Sequence, residues 1–176
     1  IDLICMWNNI GVRRSSMPLV GLIAKKRDIK SIRREIKEKN IEIIEITKEC
    51  IKNIRNIKFD EIIFLQNINL DEDEYKYMNE IISNTGFLIL NGDIEIDILK
   101  KINLNKPIKM ITFGFNSKST ITISSVKDEK IIVCIQRDIE KLNGEILECQ
   151  EKQILSKNIK QIYNNLTVFI IKELHN

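Results

Sequence analysis

The chain has 176 residues, 43% hydrophobic and 30% charged, which is enough apolar mass for one core and too little chain for two large independent modules. With 28 basic and 25 acidic side chains interleaved, the net charge is only +3, so the sequence predicts a weak field and neither nucleic acid nor membrane as a partner. There is no apolar run near 18 residues and no secretory signal, which places the protein in the cytoplasm.

Residues 1–16 show neither helical nor strand periodicity, and the chain opens on Ile1. The 38 Ile against a single Ala, Ala24, mark an AT-rich gene, so periodicity outweighs β-propensity here. In such a gene Arg13-Arg14 reads as a ribosome-binding sequence and Ser15-Ser16 as its spacer, with translation starting at Met17. The alternative is an ordinary flexible leader. Residues 17–176 form a single expected domain.

Leu19 to Ala24 has the pattern of a buried strand. Asp28 then caps a helix carrying Ile29, Ile32 and Ile36, which Asn40 closes. Ile41 to Thr47 is strand-like, Thr47 caps a short helix bearing Ile51, Ile54 and Ile57, and Glu61 to Leu65 is a third strand. Asp71-Glu72-Asp73-Glu74 has the form of a capping box at a helix that buries Met78, Ile81 and Ile82 and stops at Gly86. Phe87 to Asn91 is the fourth strand, Asp93 caps a helix with Ile94, Ile98 and Ile102, and Ile108 to Phe115 is the fifth strand. Thr120 to Val126, Ile131 to Gln136 and Glu145 to Cys149, split by polar turns, form a β-meander. Ile159, Ile162, Tyr163, Leu166, Ile170 and Leu174 give an amphipathic closing helix. The fold class is α/β: a mostly parallel, doubly wound sheet of about five parallel strands, extended at one edge by the antiparallel meander.

No glycine begins a phosphate-binding loop, because the turn after the first strand reads Ala24-Lys25-Lys26-Arg27-Asp28. Lys25 and Lys26 are the phosphate candidates there, set against a plainly solvated charged turn. Ligands of open α/β sheets bind at the carboxyl ends of the strands. That edge brings forward Asn91 and Asp93, Asp93 serving either as helix cap or as a holder of a metal or ribose hydroxyl. It also brings forward Gly114, Asn116 and Lys118 after the fifth strand. Cys5, Cys50, Cys134 and Cys149 form no C-x-x-C pair and read as reduced thiols, with Cys134 a buried small hydrophobe. His175, the only histidine, falls at an end expected to fray, so neither a zinc site nor a nucleophilic apparatus is predicted.

The run Ile111-Thr-Phe-Gly-Phe-Asn-Ser-Lys-Ser-Thr-Ile-Thr-Ile-Ser-Ser125 resembles the strand-turn-strand of the Mur ligase central domain. Phe87-Leu-Ile-Leu-Asn-Gly-Asp93 resembles its strand ending in N-x-D-D, and Ile162-Tyr-Asn-Asn-Leu166 the end of its H-N-x-x-N-A-L segment. The resemblance covers residues 87–174, and residues 18–47 as a strand-helix-strand of suitable length, and implies an amide-ligase scaffold using ATP and Mg²⁺ on cell-wall precursors, with Lys160, Gln161 and Asn164 at the adenine-contacting positions. The family's G-T-N-G-K-[ST] loop is replaced by Ala24 to Asp28, and its second Asp by Ile94. What the resemblance implies is therefore a degenerate, non-catalytic relative that binds a small molecule or a protein partner, with an oligomer as a further option; the alternative is a residual ATP-dependent ligase-type enzyme.

Overall fold

A computed structural model describes residues 17–101, 107–156 and 159–176; the expected leader, Cys5 and Ile102 lie outside the described residues. In chain order the elements are β1 (Leu19–Ile23), α1 (Lys26–Ile36), β2 (Glu42–Glu45), α2 (Ile51–Ile54), β3 (Glu61–Phe64), α3 (Glu72–Ser83) and β4 (Phe87–Asn91). They continue with β5 (Lys109–Gly114), β6 (Ile121–Lys127), β7 (Lys130–Ile135), β8 (Ile139–Glu140), β9 (Ile146–Leu147), β10 (Gln150–Leu155) and α4 (Ile162–Leu174).

Eight strands form one sheet in the order β10-β7-β6-β5-β4-β3-β1-β2, parallel from β2 through β6 and antiparallel at β7 and β10. The central parallel strands β1 and β4 are buried along almost their whole length because helices cover both faces of the sheet. Within β4, Phe87 and Ile89 enter the core shared with α1 and α4, while Leu88 and Leu90 enter the core shared with α2 and α3. Alternation with period two thus sorts one continuous apolar run into two layers.

The capping box stands at α3, where Asp71 accepts from Glu74 N–H at 3.0 Å and Glu74 accepts from Asp71 N–H at 2.7 Å. Asn40 adopts the left-handed conformation (φ 52°) that closes the turn after α1. Four local expectations are corrected. Lys25, not Asp28, occupies the cap position of α1, and Asp28 lies inside the first turn. Cys50, rather than Thr47, precedes α2. Between Asp93 and Lys101 the described residues form no α-helix, only a 3₁₀ turn over Asp97–Lys100 preceded by Ile96. The third strand of the meander is Gln150–Leu155, whereas Ile146–Leu147 pairs with Ile139–Glu140 in a separate two-stranded ribbon.

β6 joins β5 in parallel after a connection of only Phe115 to Thr120, so two residue pairs register, Phe113 with Ile121 and Gly114 with Thr122. Below them side chains replace the backbone ladder: Thr120 N–H donates to Thr112 Oγ1 at 2.9 Å, and the two hydroxyls lie 3.3 Å apart. β6 therefore runs on beyond the carboxyl end of β5, carrying β7 and β10 with it.

Candidate functional site

The loops leaving β4 and β5 meet the first turn of α4 at the carboxyl edge. Asn91, buried at the end of β4, accepts Asp93 N–H at 3.0 Å through Oδ1. This short loop turns the Asp93 carboxylate toward the neighbouring loop. Phe115 N–H donates to its Oδ2 at 2.6 Å, Asn116 N–H to its Oδ1 at 2.7 Å, and the Tyr163 hydroxyl to its Oδ2 at 3.0 Å. Three donors thus fix Asp93. Its role is to clamp the β5–β6 loop rather than to cap a helix, because tertiary donors captured a carboxylate that the local pattern assigned to a cap.

Gly114 makes the clamp possible. Its φ of +146° is strained for any other residue, and a Cβ there would lie 2.3 Å from Asp93 Oδ2. Asn116 ties the loop internally, accepting Lys118 N–H at 2.9 Å, while Lys118 itself is exposed. The result is a fixed, outward-facing aromatic ring: Phe115 is 51% exposed and meets Tyr163 edge to face, with centroids 6.1 Å apart at 85°. Burial, followed by the Asp93 hydrogen bond and charge, pushes the Tyr163 hydroxyl above its ordinary range, so it remains a donor at neutral pH. Behind the loop, the buried hydroxyl of Ser119 has no hydrogen-bond partner among the described residues and lies against Gly92.

Gln161 and Asn164 face a different element. Asn164 Nδ2 donates to Asp28 Oδ1 at 3.0 Å, and Gln161 Oε1 accepts from Ser31 Oγ at 2.9 Å, so both join α4 to α1. Lys25 and Lys26 are exposed at the start of α1, where Lys25 makes no side-chain cap bond. The nine candidates thus fall into two groups: Asn91, Asp93, Gly114, Asn116 and Lys118 around one loop, and Lys25, Lys26, Gln161 and Asn164 along the α1–α4 seam.

A further constellation lies at the amino end of β3. Glu61 is fully buried, and Oε1 stands 2.9 Å from Nε2 of His175, whose side chain is only 7% exposed. Neither Glu61 oxygen nor His175 Nε2 has a well-aligned hydrogen bond among the described residues, so the two buried groups face each other as close polar neighbours. Burial pushes the Glu61 carboxyl above its ordinary range, and His175 pulls it part of the way back. His175 is therefore packed against the sheet, not frayed. Cys134 is half-buried rather than buried, its thiol raised first by that burial. Cys50, Cys134 and Cys149 are free thiols.

Sequence reasoning passed over Phe115, Tyr163, Ser119 and the Glu61–His175 pair as site residues. The Phe-Gly-Phe run was a signal for Phe115, but nothing local announces a contact between residues as distant as Asp93 and Tyr163. Among the described residues no cluster of three His, Cys, Asp or Glu could hold a metal ion, and no helix is long and apolar enough to cross a membrane. No protein-family model and no curated protein matches the chain.

Proposed function

We propose that this protein is a non-catalytic, Mur-ligase-like module that binds a small ligand at the carboxyl edge of its sheet, in a role related to cell-wall metabolism. The observation that carries the reading is Phe115, a large aromatic ring kept exposed by a carboxylate that grips the backbone on both sides of it. A ring fixed in this way loses little freedom when a flat ligand stacks on it, which is how a preorganised binding surface gains affinity. The same clamp supports a role without catalysis. Asp93 already accepts three donors and Asn164 is bonded to Asp28, so neither is placed to abstract a proton or hold a nucleoside.

The test is calorimetric titration of the full chain with a UDP-linked sugar precursor and, separately, with MgATP. The expected result is saturable heat for the precursor, weakened about tenfold by Phe115→Ala because stacking on one aromatic ring contributes about 1–3 kcal/mol. Saturable heat with MgATP, accompanied by phosphate release, would replace this reading with that of a residual ATP-dependent enzyme.

A further inference from the structure

The positive charge of this chain is not evenly spread. Residues 25–39 carry eight basic and three acidic side chains, a net charge of +5 against +3 for the whole chain, so the remainder of the molecule is net negative. Arg27, Lys30, Arg34 and Lys37 follow steps of three and four and share one face of the helical segment. With Arg33 they line a cleft of about 520 Å³ between α1 and the turn before α4. Ser31 and Gln161 also line it, joined by their hydrogen bond.

Local physics opposes this arrangement. Like charges three and four residues apart repel, and the positive end of the helix dipole disfavours Lys25, Lys26 and Arg27. The two acids within α1 offset only part of it: Asp28 lies 3.7 Å from Arg27 and also accepts from Asn164, and Glu35 lies 3.5 Å from Arg34. Lys30 and Lys37 have no acidic partner within 4 Å among the described residues. Arg33 is steadied by donating to Ile43 O at 2.9 Å. A helix that breaks these rules with only two acids to offset its cations is suited to a charge from outside.

We propose that the α1 cleft binds a compact polyanion, a small molecule carrying two or more phosphate groups. Five cations around a space of small-ligand size call for dense negative charge, and three guanidinium groups suit phosphate oxygens two at a time. Among the described residues the cleft has no aromatic lining on which nucleic-acid bases would stack. The apolar residues of α1, Ile29, Ile32 and Ile36, are buried in the core, so the helix has no apolar face to lay into a membrane. This site lies on α1 and does not depend on the Phe115 reading.

The test is calorimetry on the full chain at about 50 mM salt with inorganic tripolyphosphate, orthophosphate, metal-free ATP and a DNA duplex as probes. Tripolyphosphate is expected to bind saturably and at least about tenfold more tightly than orthophosphate. Equal binding of ATP would identify the phosphates alone as the ligand, and tighter ATP binding a nucleoside source of the same chemistry. Lys30→Glu with Arg34→Glu should weaken tripolyphosphate about tenfold or more, while Lys127→Glu with Lys130→Glu on the β6–β7 hairpin should not. If the charge-reversed pair loses its circular dichroism signature of folding, Lys30→Gln with Arg34→Gln takes its place. The proposal is overturned by absence of heat with tripolyphosphate, by equal affinity for orthophosphate, by equal loss in the hairpin pair, or by tighter binding of the duplex.

Discussion

Replacing Glu61 by Gln should change how the stability of this protein depends on pH. In the unfolded chain the carboxyl titrates near its ordinary value of 4.5, whereas burial raises it in the folded state. Between those two values the native state holds a proton that the unfolded state has released. Stability is therefore greatest below the unfolded value and declines as pH rises toward the folded one. The slope of that decline approaches about 1.4 kcal/mol per pH unit, and each tenfold rise in proton affinity makes a difference of about that size at higher pH. A change of that size per pH unit is readily measured against a total stability of roughly 5–15 kcal/mol. Glu61→Gln removes this titration, and any fixed cost of burying the amide drops out because slopes are compared. Urea unfolding of both proteins, followed by far-ultraviolet circular dichroism from acid to mildly alkaline pH, supplies the comparison. The difference should favour the variant progressively as pH rises. Parallel curves would refute the assignment of Glu61 as a carboxyl raised by burial. His175→Ala extends the argument, because it removes the one group drawing the Glu61 carboxyl down and leaves a buried acid without its partner. The variant should lose stability and carry the decline to higher pH, measured in the same urea series.

Gly114→Ala should destabilise by about 1–3 kcal/mol and disorder the Phe115 loop, read by thermal melting and by the loss of Phe115–Tyr163 contacts in NMR spectra. Asp93→Ala should cost about 1–2 kcal/mol by removing the acceptor of two solvent-accessible backbone donors, and should move the Tyr163 hydroxyl down toward its ordinary range in a spectrophotometric titration. Ser119→Ala should be neutral or stabilise by up to about 1 kcal/mol in urea unfolding, since it removes a buried hydroxyl without a partner. Lys30→Gln should stabilise the unliganded protein by about 0.5–1 kcal/mol at low salt, with the gain fading as salt is added.

The parallel half of the sheet is legible in the residues because burial on both faces leaves continuous apolar runs such as Phe87–Asn91. Gln150–Leu155 escapes such reading. It is an edge strand whose side chains are mostly polar and exposed, so its alternation is carried by Lys152 and Ile154 alone. The segment after Asp93 looks helical from Ile94 and Ile98, yet the Asp93 carboxylate is taken up by backbone donors of the loop after β5, and helix-capping patterns do not register such distant donors. The candidate site was legible as a place, the carboxyl edge, and as residue types there. Its working parts come from pairings far apart in sequence: Asp93 with Tyr163, Asp28 with Asn164, and Glu61 with His175. Charge read as a chain-wide balance also hid the concentration on α1.

The position of α4 in the chain has a consequence for biosynthesis. Val20, Leu22, Ile63, Ile89 and Phe113 emerge from the ribosome well before Leu166, Phe169, Ile170 and Leu174, which close over that side of the sheet. Between the end of β5 and the end of α4 lie 60 residues, about 3–12 s of translation at typical rates. For that interval the nascent polypeptide carries an open greasy flank, a natural landing place for a chaperone.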